Sequence, residues 1–131
     1  IFFDVALNKF GMGEDQLFFL KLKRKGYKIL WSKNLKVKEK SHKNRLNSRW
    51  IKDRSYRLGV IGYYIDKNLN GIFLGHLTNY LKCIFYFFSG VFFLLKVGKS
   101  LNYYKFLNQI YRSYGRLLGP LVFKKIDFYK K

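Results

Sequence analysis

The chain has 131 residues, with 27 Lys or Arg against 7 Asp or Glu and a formal net charge of +20. Hydrophobic residues make up 49% and aromatics 21%, which excludes a disordered basic tail. The single cysteine, Cys83, excludes an internal disulfide and a cysteine-built metal site.

A field of this sign draws polyanions without choosing among nucleic acid, anionic lipid and phosphorylated substrates. The chain opens on Ile1 in mid-pattern, IFFDVAL, with no signal-peptide n-region or cleavage site, so the expectation is a fragment lacking its N-terminal part. After the turn residues Asn8 and Gly11, a helix is predicted from Glu14. Leu17, Phe18, Leu20 and Leu22 keep helical spacing, while Lys21, Lys23, Arg24 and Lys25 fall largely on the other side. The acidic pair Glu14–Asp15 occupies the first turn and the basic cluster the last, as the helix dipole prefers. Gly26 is the expected C-terminal cap.

YKILW (27–31) and LKVKE (35–39) alternate apolar and polar residues and are predicted as strands. Glu39 takes the apolar phase of the second strand, where a carboxylate either frays into solvent or lines a cleft. KSHKNRLN (40–47) reads as a polar loop, and a second helix is predicted to start after Asn47 or Ser48. Between Lys21 and Arg57 lie 15 Lys or Arg and 2 Asp or Glu, so much of the charge is one block. Beyond Lys67 the character changes, and residues 83–95 carry no charge. That run reaches only about 20 Å as helix, short of a ~30 Å hydrocarbon core. Extended back to Leu77, with Lys82 snorkelling, it would suffice. A tilted or re-entrant segment, a true span and a buried soluble helix all stay open. Residues 101–121 predict an amphipathic helix, with Tyr104, Leu107, Tyr111, Tyr114 and Leu118 on one face and Lys105, Asn108, Arg112 and Arg116 on the other. Gly119-Pro120 is expected to end it. Such a helix suits a membrane interface with anionic lipid; ordinary helix packing is the plain alternative.

Several motifs fall in order across residues 3–59. They are Phe3-Asp4, Gly13-Glu14-Asp15, Lys25-Gly26-Tyr27-Lys28-Ile29 and Val37-Lys38-Glu39, then Arg45, Trp50, Arg54, Arg57 and Gly59. This series resembles the C-terminal part of the catalytic domain in family 2 glycosyltransferases, above all the bacterial, membrane-associated members that build cell-surface polysaccharides. Two positions depart from that pattern. His42 stands where proline is usual, and Leu46 stands where processive members carry glutamine.

The resemblance implies an α/β fold: the C-terminal portion of a GT-A (Rossmann-like) domain over residues 1–62, followed by a membrane-associating helical region over 63–131. It implies inverting transfer of a sugar from a nucleotide-sugar donor to a lipid-linked or cell-surface glycan acceptor, by a longer enzyme of which this portion alone is inactive. Asp15 would be the general base, since a sugar hydroxyl is a poor nucleophile until a carboxylate takes its proton. Glu14 would hold the acceptor or the local loop. Arg45, Arg49 and Trp50, with Glu39, would bind acceptor or diphosphate. The implied divalent cation, Mg or Mn, would be held by a D-x-D motif outside this chain; none occurs here, and His42 and His76 make no metal site. The implied place is the cytoplasmic face of a bacterial inner membrane. For the acidic pair the plain alternative is helix capping, and for each arginine a solvated face.

Two other classes fit parts of the sequence. A non-catalytic basic membrane-surface protein needs no role for Asp15. A nucleic-acid-binding module suits the basic block, but the aromatics of 83–95 lack the neighbouring cations that stacking platforms use, so nucleic acid is not the expected partner.

Overall fold

The computed structural model describes residues 4–30, 32–34, 36–38, 47–96 and 100–128. These form α1 (Val5–Asn8), α2 (Glu14–Arg24), α3 (Ser48–Leu95) and α4 (Ser100–Phe128), with no strand among the described residues. The α/β, Rossmann-like expectation is therefore overturned. Residues 27–30 and 36–38 hold no regular structure, and Leu30 and Val37 are 89% and 92% exposed. Alternation says which side chains would share a face, but it does not supply the neighbouring strand that a stable sheet needs. Trp31, Leu35 and Glu39, also assigned to those strands, lie outside the described residues.

The chain divides into two units, Ile1–Arg45 and Leu46–Lys131. α3 runs through residue 62, the boundary expected from the sequence. In the first unit the Asp4 carboxylate caps α1 by accepting from the Ala6 amide at 2.9 Å. α1 and α2 are in contact, and Ala6, Leu7 and Leu17 are buried. α2 ends where its sequence says it should. Gly26 is left-handed (φ 84°), its amide donates to Lys23 O at 3.1 Å, and the Tyr27 amide donates to Leu22 O at 3.2 Å. That pair of bonds is the Schellman arrangement.

The second unit is an assembly of three helical arms. Asn47 caps α3, its Oδ1 accepting from the Trp50 amide at 2.7 Å. α3 is broken at Gly71, whose φ of 79° and ψ of −177° no L-residue adopts cheaply. The chain folds back there. The Asp66 carboxylate lies 2.7 Å from Lys82 Nζ, whereas 16 residues of straight helix would separate them by about 24 Å. A Cβ on Gly75 would sit 2.6 Å from Lys67 Cα, so the two arms of α3 touch backbone to backbone.

α4 packs along both arms. A Cβ on Gly59 would strike the Arg112 carbonyl, and one on Gly115 would strike the Tyr56 carbonyl. This close approach sets which face of α4 turns inward. Ser113, Gly115, Arg116, Gly119 and Phe123 are buried, while Tyr104 and Tyr114, expected on the apolar face, are exposed. Small residues make the closest backbone approaches of the seam, as in helix packing within lipid, with Leu107 and Phe123 buried along the same face.

Two charged groups meet in this seam. Arg116 Nη1 donates to Asp66 Oδ2 at 2.7 Å and to Asn79 Oδ1 at 3.1 Å, with Asp66 and Arg116 side chains 8% and 5% exposed. Asn79 Nδ2 in turn donates to the Arg116 carbonyl at 3.1 Å. That carbonyl is the one left free by Pro120, four residues on, which has no amide hydrogen. α4 therefore continues through Pro120 to Phe128, where the sequence predicted an end at Gly119-Pro120.

Asp66→Ala should lower the unfolding free energy by about 3–5 kcal/mol, because Arg116 is left buried without its counter-charge. Denaturant melting of the full chain in mild detergent checks this; a loss below about 1 kcal/mol would mean that the pair does not hold the arms. Asn79→Leu should destabilise the chain, and Pro120→Ala in that background should recover part of the loss by returning an amide hydrogen to the Arg116 carbonyl. No recovery would remove Asn79 as the proline's partner.

Candidate functional site

The Gly-Glu-Asp triplet begins α2. Gly13 is left-handed (φ 94°) and buried, and its carbonyl accepts the Leu17 amide at 3.0 Å. A residue with a Cβ would resist this conformation, so the glycine fixes where the helix starts and which residues form its first turn. Glu14 and Asp15 both stand in that turn. Asp15 is exposed, and its Oδ1 accepts the Gln16 amide at 2.7 Å. Glu14 is half-buried, with Oε2 shielded from solvent and lacking a hydrogen-bond partner among the described residues. One carboxylate is thus open to a solute, steadied by the helix N-terminus, while its neighbour turns inward.

The basic candidates lie in the second unit, apart from Arg45, which with Glu39 is outside the described residues. Arg49 is exposed on the first turn of α3, and Trp50 is half-buried beside it. They serve different clefts. Arg49 lines one of about 480 Å³ with Ser48, Lys52, Tyr56, Tyr111 and Tyr114. Trp50 lines another of about 280 Å³, and the Arg54 guanidinium lies 4.9 Å from its ring. Consecutive helix positions point about 100° apart, and here that turn sends Arg49 to one cleft and Trp50 to the other. Arg57, three residues beyond Arg54, pairs with Asp53 at 2.8 Å.

Sequence reasoning did not find the tyrosines that complete the first cleft. Tyr56 and Tyr114 lie with ring centroids 5.7 Å apart. Burial, then the neighbouring Tyr114, raises the Tyr56 pKa above its ordinary 10.0, so this hydroxyl stays a donor. The signal was present as the tyrosine stripe of residues 104–114, read as the apolar face of a membrane-interface helix. The Asp66 cluster was missed too, although Asp66 is the one acidic residue between positions 54 and 126.

No group of three or more His, Cys, Asp or Glu side chains gathers among the described residues. The divalent cation implied by the resemblance thus has no ligand set here, and no step below passes through it. The chain matches no protein-family profile, no curated protein and no solved structure.

Gly13→Ala should cost about 1–2 kcal/mol at the start of α2. Amide exchange at residues 14–17 reports it directly: protection should fall there and remain at 59–66. Unchanged protection at 14–17 would show that the left-handed turn does not define the helix start.

Proposed function

We propose that this chain is the membrane-seated portion of a sugar-transferring enzyme, with its apolar arm laid into one leaflet and Asp15 as the base of the transfer. The observation that carries the seating is the bare outer face of residues 72–95. Phe73, Phe85, Phe88 and Leu95 are 80%, 66%, 66% and 79% exposed, along the whole length of the arm. A soluble monomer rarely leaves so long an apolar surface in water.

The arm is long enough to cross a bilayer, since 24 helical residues extend about 36 Å. Its neighbours speak for an in-plane seat. The Lys105 ammonium lies 5.4 Å from the Phe93 ring, and the Arg112 and Arg116 guanidinium groups lie 4.7 and 5.6 Å from Tyr86. Asp66 sits at Lys82. Charges therefore accompany the arm through its middle, and a crossing would carry the exposed Lys82 and Lys105 toward hydrocarbon at several kcal/mol each. Lying flat, the hairpin buries the aromatic face and leaves the exposed Lys105 and half-buried Arg112 at headgroup depth, where a cation contributes about 1 kcal/mol against anionic lipid. The cytoplasmic leaflet of a bacterial membrane, rich in anionic lipid and retaining basic flanks, suits this surface.

For the chemistry, the support is the ordered motif series together with an exposed carboxylate in the first turn of α2. Asp15 takes the proton of the acceptor hydroxyl as that oxygen bonds to the anomeric carbon of the nucleotide sugar. The bond from that carbon to the diphosphate breaks, its electron pair leaves with the diphosphate, and the configuration inverts. The absence of strands among the described residues favours a second reading, a basic membrane-surface protein in which Glu14 and Asp15 only begin a helix.

Asp15→Asn separates the two. In membranes containing the protein and its native partners, it should lower sugar incorporation into lipid-linked or surface glycan by about 10²–10⁴-fold, with the same amount of protein sedimenting with the membranes. Unaltered incorporation would leave the non-catalytic reading. Phe85→Asp with Phe88→Asp should move the protein into the soluble fraction; continued sedimentation would refute the seating.

A further inference from the structure

The geometry points to a phosphate-ester site in the cleft between the first turns of α3 and the middle of α4. Arg49 and Lys52 hold the phosphate there, and Tyr56, Tyr111 and Tyr114 hold the ring or chain attached to it. At about 480 Å³ the cleft falls within the ordinary range for small-ligand sites. Its two cations stand three residues apart on one helix face, and neither has an ion-pair partner among the described residues. Asp53, the one carboxylate on the rim, is engaged by Arg57 at 2.8 Å. The cleft is therefore net positive where it is open.

The class of ligand follows from the donors. A carboxylate is satisfied by one bidentate guanidinium, whereas a phosphate ester has oxygens left over for an ammonium and for hydroxyl donors. Tyr56 remains protonated, as burial and Tyr114 dictate, and supplies such a donor. The Tyr56–Tyr114 pair, tilted 41°, and Tyr111, with Lys52 Nζ 5.7 Å from its centroid, offer aromatic walls already in place. No residue of 72–95 lines the cleft. In the seated hairpin it opens away from that arm, which favours a water-soluble ester; this direction rests on the in-plane seating, while the binding itself does not.

The test is calorimetric titration of the full-length protein in nanodiscs of zwitterionic lipid, with glucose 1-phosphate and inorganic diphosphate as soluble probes. Sedimentation with phosphatidylglycerol vesicles forms a separate arm. Each of Arg49→Gln and Lys52→Gln should weaken the soluble probes about tenfold, since a charge-assisted hydrogen bond is lost. Tyr111→Leu should weaken glucose 1-phosphate more than diphosphate. Arg54→Gln, in the other cleft, should change neither. Soluble probes that do not bind, with vesicle binding that falls in Arg49→Gln and Lys52→Gln, would keep the phosphate site, assign it to lipid headgroups and overturn the direction of opening. Equal binding of wild type and both variants to every probe would overturn the site while leaving the seating intact.

Discussion

A buried ion pair decides the shape of the second unit. Asp66 on the first arm of α3 and Arg116 on α4 meet at 2.7 Å, and Asn79 on the second arm bonds to both the side chain and the carbonyl of that arginine. All three arms converge on this one point. Two glycines make it possible: Gly71 lets α3 reverse, and Gly115 lets α4 approach Gly59 closely enough for Arg116 to reach inward. A buried pair is weak evidence for net stability, since removing charges from water costs about what their attraction returns. Its value here is specificity, because Asp66 is the one acidic residue between positions 54 and 126.

This unit departs from the usual arrangement in two ways. Polar and charged groups share the space between the helices with Val60, Ile61, Ile65, Leu107 and Phe123, and Phe73, Phe85, Phe88 and Leu95 lie outside. In water the apolar surface would be the dominant liability. Against lipid it becomes the favourable face, and the polar seam supplies the interhelical bonds that lipid cannot disturb. Small residues at the seam serve the same end, since helices in an apolar medium gain from close backbone contact more than from burying large side chains. Tyr114 outside and Gly115 inside follow from that preference.

Features governed by neighbouring residues were legible in the sequence. The α2 boundaries, the Gly26 ending and the Asn47 cap each depend on bonds spanning a few residues, and each stands where the pattern put it. Features governed by distant partners were not. The alternation at 27–31 and 35–39 described strands without saying that nothing would pair with the described residues among them. Pro120 read as a helix end because its compensating donor, Asn79, belongs to another arm. The first-turn position of Asp15 was legible for the same local reason; its exposure was not. The clefts were not: Arg49 and Trp50 looked like one site in a linear motif and line two in the helix.

The central claim is that the hairpin lies in one leaflet with both ends of its apolar arm on the same side. Lys67 precedes the arm and Lys96 follows it. Single cysteines placed at these positions, Lys67→Cys and Lys96→Cys in a Cys83→Ser background, can be labelled in sealed, inside-out membrane vesicles with a maleimide that does not cross bilayers. The account predicts that both label from the outside of intact vesicles, at similar rates and without detergent. Labelling of one, with the other reacting only after detergent is added, would contradict it and make residues 72–95 a membrane span.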